Sequence, residues 1–554
     1  MSKIEEKVSI LVTNLINSVN KNNEEIKNAL NTLLGNNFYK YHFDNNNNFN
    51  IDINDFQNQM AHVNEKSSKQ KDNGVYYTPA DVTRFIIINT YINRLYKDNN
   101  KAYEYNDGIK KILQINDKEM QRLLFSYSVI DPTCGTGEFI INVLQLKEDI
   151  LKKTNLLNDK NIISIAKTIY GNDIDEESSD ICKLRSFFKL VYLLNEKNNI
   201  KKLAKAINGQ YYNVDFIEEP SKLDEKFDII IGNPPYVEYG KYNWKGTHLN
   251  SYGNVYADVI NNSIDIMTKD GTFGFIIPLS YVSTPRMKSI REQVYQNTEK
   301  QFVFSYADRP DCLFTGVHQK LNIVIARKGS RKHEIYTSNY KHWYKNERNT
   351  LLTKVETINN IKGLDDFIPK LGNRIESSIF DKVYTTDTNN LYDMQAKSND
   401  KIYLNMRACF WVKAFTFNPG SNEYKEFEYT KSDRDFVLCV LNSSLFWIYW
   451  TIMSDCWHIT SKELKNFYLP PEKVDSKIFH ELAQKLEQKL ETTKKFVGTK
   501  QVEYEYKHRL CKDVIDEIDG QLAKLYQLSQ DELDYIKDFA INYRVGGEVN
   551  VKNN

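Results

Sequence analysis

Asn233-Pro234-Pro235-Tyr236 follows directly on the apolar run Phe227–Gly232, and its residue types are those that can hold a planar amine. The side-chain oxygen of Asn233 and the carbonyl of Pro234 can both accept hydrogen bonds from one NH₂ group. Two consecutive prolines stiffen the loop and hold those oxygens outward. Tyr236 adds an amphipathic plate that can stack on the ring bearing the NH₂. Accepting both protons concentrates electron density on a nitrogen whose lone pair is otherwise delocalised into that ring. A weakly nucleophilic aromatic amine needs this before it can attack an electrophilic methyl group. The competing reading is a plain turn, and the company the motif keeps weighs against it.

That company is three further loops, each at the end of an expected strand. In VIDPTCGTGEFIINVL a strand ends at Asp131, a turn passes through Gly135 and Gly137, and a helix begins near Phe139. Glycines let backbone N–H groups approach a ligand closely at a helix N-terminus. The turn alone is a weak signal, because the third glycine of a dinucleotide fingerprint is missing. In YGNDIDEES a second strand ends at Asp173, whose carboxylate suits the two hydroxyls of a ribose. Asp175 fits better as the N-cap of the next helix. In YYNVDFIEEP, Asp215 could accept from an exocyclic amine and Phe216 could stack on a purine, with core burial as the alternative for Phe216. Taken together, the three loops describe a pocket for adenosine carrying a charged tail.

Such loops need a sheet to hold them. Short apolar runs at 127–131, 169–174, 227–232, 272–278, 300–306 and 321–327 read as strands. Amphipathic stretches between several of them, including Phe139–Lys153, Glu176–Leu194 and Val255–Thr268, read as helices. This alternation predicts an α/β fold with a mostly parallel sheet, and such sheets bind ligands at the carboxyl ends of their strands. Before it, residues 1–70 read as a helical segment interrupted by an Asn tract. After it, a basic linker at 326–334 leads into short strands and aromatic-rich loops, and residues 472–540 read as charged helices. The expected division is therefore 1–70, 71–330 and 331–554.

Composition narrows the class without choosing within it. Lys and Arg total 74 against 73 Asp and Glu, so bulk charge gives no support for nucleic-acid binding, and any basic surface must be local. No run is long and apolar enough for a membrane span, and no membrane partner is expected. The seven cysteines are scattered singly, which argues against a zinc site or a disulfide framework and for a reducing cytoplasm; no metal is expected.

The order GVYYTP (74–79), DPTCGTGEF (131–139), GNDID (171–175), VDF (214–216), GNPPY (232–236) resembles the gamma-class DNA adenine-N6 methyltransferases. The resemblance is strong over about residues 70–330 and loose beyond. It implies S-adenosyl-L-methionine as cofactor, a Rossmann-like seven-stranded catalytic domain and a C-terminal mixed α/β target-recognition domain. It assigns Tyr77, Thr78, Pro79, Asp131, Thr133, Gly135, Gly137, Asp173, Ile174, Asp215 and Phe216 to the cofactor. Asn233, Pro234, Pro235 and Tyr236 fall to catalysis on a target adenine, with Phe314 as an aromatic on the base's other face. The expected activity is transfer of methyl to N6 of an adenine flipped out of double-stranded DNA, without a nuclease of its own. A separately encoded restriction endonuclease is the candidate protein partner.

Asp131 and Asp173 stand farther apart than in the smaller family members, as in type I modification subunits, which borrow recognition from a separate chain. Residues 436–470 instead resemble recognition domains fused to the catalytic unit, so self-contained recognition is expected. Related loops serve enzymes that methylate a protein glutamine amide or an RNA base amine, and these are the remaining alternatives. In the C-terminal part Arg374, Arg407, Lys413, His458 and Lys462 are candidates for phosphate or base contacts, each weighed against a solvated surface role.

Overall fold

The computed structural model describes residues 2–18, 23–43, 51–63, 77–241, 252–314, 316–330, 333–360, 366–384, 388–499 and 503–546. Its centre is a nine-stranded sheet: β1 (Val129–Asp131), β2 (Ile169–Asn172), β3 (Tyr211–Tyr212), β4 (Phe227–Gly232), β5 (Met267–Pro278), β6 (Thr298–Tyr306), β7 (Leu321–Lys328), β8 (Glu334–Lys341) and β9 (Ile358–Asn359). The spatial order is β3-β2-β1-β4-β5-β7-β6-β8-β9. β1 to β5 run parallel, β7 is inserted antiparallel between β5 and β6, and β8 lies parallel beside β6. The carboxyl ends of β1, β2, β4, β5 and β6 therefore share one edge.

The sheet has two strands more than the seven expected, and it runs past residue 330. The basic stretch expected to be a linker ends at the start of β8, whose alternating burial lets it cap the open side of β6. β4 shows why the middle is secure. FDIIIG is a continuous β-branched run, buried almost throughout, as a strand covered on both faces requires. Pro234 and Pro235 cannot extend its ladder and end it where the Asn233–Tyr236 loop begins.

Helices cover both faces. Ala80–Leu95 lies over β5 and β7, Glu138–Lys153 follows β1, Glu176–Val191 follows β2, and Val255–Ile266 precedes β5. The N-terminal helices Lys3–Ser18, Asn23–Leu34 and Ile53–Ala61 pack against the β2 side. Asn37 Nδ2 donates to Asp180 at 2.9 Å, and Lys40 pairs with Glu176 at 2.7 Å.

The C-terminal part holds a small antiparallel sheet, β10 (Lys401–Asn405) flanked by β11 (Ala414–Phe415) and β12 (Tyr424–Glu428), against a helical body. The helices Lys431–Asn442 and Ser444–Met453 are apolar enough to pass together as a bent membrane hairpin, yet they form the buried centre of this body. Among the described residues no single helix is long and apolar enough to cross a membrane. Arg544, 3% exposed on the last helix, Ile541–Val545, lies between two indoles, 4.1 Å from the ring centroid of Trp411 and 4.3 Å from that of Trp447. Its guanidinium also donates to the Phe410 carbonyl and the Ser444 hydroxyl.

Candidate functional site

β1 and β2 pair in register at Asp131 and Gly171, so the loops that follow them emerge side by side. Asp173 joins those loops: Oδ2 accepts the Gly135 N–H at 2.8 Å, and Oδ1 accepts the Asp175 N–H at 2.9 Å. Loss of solvent between the loops pushes the Asp173 carboxyl up to about 6, opposed by the two N–H bonds. Each carboxylate oxygen keeps a further lone pair, so hydroxyl donors can still be taken. Asp175 is the N-cap, its Oδ2 accepting the Ser178 N–H at 2.9 Å. Asp131 is buried, which raises its carboxyl well above the usual range; it accepts the Thr133 N–H at 3.1 Å and closes the turn from beneath.

The glycines meet two different demands. Gly137 caps helix Glu138–Lys153 with φ +93°, and a Cβ there would lie 2.4 Å from Cys182 Sγ. Gly135 has φ +50° with open space where its Cβ would stand. Beside it the Thr133 hydroxyl oxygen is buried without a hydrogen-bond partner among the described residues. Ile174 leaves an apolar side chain 65% exposed above the turn. An open backbone cradle, an unsatisfied hydroxyl, a carboxylate and an uncovered apolar surface fit a ligand that combines charge, hydroxyls and a flat apolar ring. S-adenosyl-L-methionine is such a ligand.

The third loop is fastened by a residue that motif reasoning misses. Asn172, 1% exposed, donates from Nδ2 to the carbonyls of Pro132 at 2.9 Å and Val214 at 3.0 Å, and its Oδ1 accepts the Val214 N–H at 2.9 Å. One amide thereby ties the loop after β1 to the loop after β3. Its only sequence signal is its position just before Asp173. Asp215 is half-buried, and its Oδ1 accepts from the N–H groups of Ile217 and Glu218 at 3.0 and 3.2 Å. Phe216 is 3% exposed and lies in the core, its carbonyl accepting from Asn262 at 2.9 Å. Its ring is enclosed to the same degree as that of Phe314, which is 1% exposed.

On the β4 side, Asn233 Nδ2 donates to the Thr78 hydroxyl at 3.0 Å, with Thr78 3% exposed. With Nδ2 as the donor, Oδ1 is the acceptor end of this amide. Thr78, expected at the cofactor, thus supports the Asn233–Tyr236 loop. Tyr77 reaches the Glu138 carboxylate at 3.4 Å and packs on the His62 ring with centroids 4.2 Å apart, and Pro79 caps helix Ala80–Leu95. Pro234 is buried and Pro235 half-buried. The Tyr236 hydroxyl donates to the Ile276 carbonyl at 2.9 Å, which locks the ring. Phe314, from the loop between β6 and β7, faces that ring: the centroids are 6.5 Å apart and the planes differ by 17°.

The N-terminal segment reaches the same turn. Arg185, 2% exposed, pairs with Glu138 at 3.0 Å, donates to the Thr136 carbonyl at 2.8 Å and to Gln57 at 2.9 Å. The Thr136 hydroxyl donates to the Ala61 carbonyl at 3.2 Å. Of GVYYTP, residues 74–76 lie outside the described residues.

The five C-terminal candidates separate. Arg374, Arg407 and His458 are exposed, the last two paired with Glu423 at 3.0 Å and Asp455 at 2.7 Å. Burial lowers the Lys413 ammonium from its ordinary range. Lys462 donates to the Ser283 carbonyl at 2.7 Å and so joins the two domains. Among the described residues no cluster of His, Cys, Asp and Glu is arranged to hold a metal ion.

Comparison with known proteins gives this geometry a lineage. The model of the Eco57I restriction-modification methylase family matches residues 167–311, from β2 through β6. The type II restriction enzyme and methyltransferase RM.Eco57I of Escherichia coli is 25% identical over 274 residues, covering 41% of this chain and 25% of its own length. The type II methyltransferase M.BstVI of Geobacillus stearothermophilus is 23% identical over 202 residues, 35% of this chain and 36% of its own. The modification methylase CviBIII of Paramecium bursaria Chlorella virus NC1A is 27% identical over 172 residues, 30% of this chain and 35% of its own. The aligned parts thus span about a third or less of these relatives. Among solved structures, the Type IIL restriction-modification enzyme MmeI in complex with DNA shares the fold with TM-score 0.52 at 11% identity, covering 92% of this chain and 88% of that one. Residues 167–311, which carry the loops after β2, β3 and β4, are thus similar to the restriction-modification methylases of the Eco57I type.

Proposed function

We propose that this chain is a site-specific DNA methyltransferase that moves a methyl group from S-adenosyl-L-methionine to N6 of an adenine flipped out of double-stranded DNA, with residues 331–554 reading the site. The observation that carries this reading is the Asn233–Thr78 hydrogen bond. It anchors the Asn233 amide at the end of β4, one strand away from the Asp131–Gly137 turn.

When bound, the cofactor supplies a methyl sulfonium electrophile. Asn233 Oδ1 and the Pro234 carbonyl accept the two amine protons, so the nitrogen lone pair is freed from the purine. Both oxygens stabilise the positive charge that builds on N6 as the new C–N bond forms. Proton loss from the product goes to water. Gly135, Asp173, Ile174 and Asp215 hold the adenosyl and ribose parts, with Tyr77, Thr78 and Pro79 toward the methionine end. N6 lies inside the stack of a duplex, so the base must be extruded at a cost of a few kcal/mol, part of which stacking returns. The 6.5 Å separation of the Tyr236 and Phe314 centroids is close to twice the roughly 3.4 Å spacing of stacked bases. The near-parallel planes support a sandwich for that base. The structural neighbour MmeI was solved with DNA, which supports the same substrate class.

The test is single-molecule sequencing of genomic DNA from cells expressing this chain, beside an Asn233→Ala control. N6-methyladenine at one short motif, absent from the control, is the expected result. An unmodified genome would instead point to a separate specificity chain, as in type I systems, or to an amine outside DNA.

A further inference from the structure

The loop from Ala307 to Lys320 joins β6 to β7 and carries Phe314 near its middle. Both of its stems converge on one indole of the C-terminal region. At the first stem Arg309 is exposed, its guanidinium carbon 5.5 Å from the ring centroid of Trp457. At the second, Lys320 Nζ stands 4.5 Å from the same centroid. Trp457 is half-buried, and its carbonyl accepts the Ala408 N–H at 3.0 Å beside the antiparallel bridge between Arg407 and His458. The His342 ring donates from Nδ1 to the Arg309 carbonyl at 2.9 Å and fixes the first stem. Lys320 has Asp308 at 3.4 Å, whereas Arg309 has no carboxylate partner among the described residues.

An exposed arginine on an aromatic face with no carboxylate beside it is a cation open to an anion, and Lys320, paired with Asp308, shares the same ring. A base lying between Tyr236 and Phe314 trails a sugar-phosphate backbone, and Arg309 and Lys320 stand on the loop that carries Phe314. Arginine over an aromatic plate is also a common grip on nucleic-acid strands. We propose that Arg309 and Lys320, seated on Trp457, form a phosphate clamp that spans the two domains and grips the target strand beside the extruded nucleotide. The clamp rests on the reading of this site as a DNA methyltransferase. Because Trp457 belongs to the C-terminal region, docking of that region on DNA also sets the loop that bears Phe314.

The experiment is binding of fluorescein-labelled duplex DNA of mixed sequence across a salt series, with methyl transfer to plasmid DNA measured in parallel. Removing one cation from a phosphate lowers the slope of log K against log salt by about 1. Arg309→Ala is expected to lower the slope by about 1 and the Arg309→Ala/Lys320→Ala double variant by about 2, while Arg309→Lys retains it. KM for DNA rises in the alanine variants, and calorimetric affinity for S-adenosylmethionine stays put. Trp457→Phe retains DNA affinity where Trp457→Ala loses it. A wild-type chain that methylates DNA, together with a double variant of unchanged slope, would overturn the clamp and leave the cations as interdomain packing. A wild-type chain that neither binds nor methylates any duplex overturns the methyltransferase reading and the clamp with it.

Discussion

On the β1–β2 side the loops are laced to each other by buried polar side chains: Asn172 bonds two loops at once, and Asp173 holds the glycine turn by its backbone. On the β4 side the side-chain bonds of Asn233 to Thr78 and of Tyr236 to the Ile276 carbonyl, with ring contacts around Tyr236, do the positioning. A laced pocket keeps its shape whether or not a ligand is present. A pocket made of two facing rings depends on what comes between them. On the proposed reading the division suits two substrates with different needs, a small cofactor and a base that must be drawn from a helix.

If the two sides are separable, damage to one should spare the other. The largest effect is expected at Asn233→Ala, which removes one of two acceptors at the developing charge. Transfer should fall by at least about 100-fold, with calorimetric affinity for S-adenosylmethionine nearly unchanged. Joint loss of both would break the comparison. Next comes Asn172→Ala, on the laced side. It strands two buried carbonyls and an N–H, so thermal or denaturant unfolding should show a loss of about 3 kcal/mol, and cofactor affinity should fall with it. Full stability in this variant would mean the lacing is ornamental.

Tyr236→Ala should cost about 1–3 kcal/mol in DNA turnover, read as kcat/KM, and leave cofactor binding alone. An unaltered rate would remove the stacking role. The smallest effect is a pH dependence. The Asp173 carboxyl is held at about 6 against 3.8 for a free aspartate. Only its ionised form accepts two hydroxyls, so cofactor affinity should weaken as pH falls through about 6 and flatten in Asp173→Asn. Folding responds with the opposite sign: the native state holds this proton more tightly than the unfolded chain. The group's contribution to stability is therefore greatest in acid and falls as pH rises from about 4 to about 6.

The same contrast explains what can be read from the sequence. Strand ends and the four loops are legible because β-branched runs stopped by Gly or Pro leave a local pattern, as in FDIIIGNPP. The Asx-type bonds of Asp175 and Asp215 are local as well. Asn172 is silent because its partners, Pro132 and Val214, lie some 40 residues away on either side. Arg185 is silent for the same reason, since its carboxylate partner is Glu138 on another helix. Phe216 reads as a candidate plate, but an aromatic beside an acid looks the same in the sequence whether it faces a ligand or the core. β3 has two residues and β9 two, too few for any periodicity, and β8 is hidden by the basic run before it. The C-terminal body is built on long-range aromatic packing, which leaves little trace in local order.

The seating of Arg544 between Trp411 and Trp447 bears on how such a chain could be re-engineered. If residues 331–554 read the site, as proposed, grafting that region onto another catalytic domain is a direct route to a new target sequence. In this fold the graft has a fixed far junction. A splice made before Ile541 would leave two indoles facing each other without the cation that separates them. A transplanted region must therefore bring its own last helix, or a host helix that carries an arginine at the same depth.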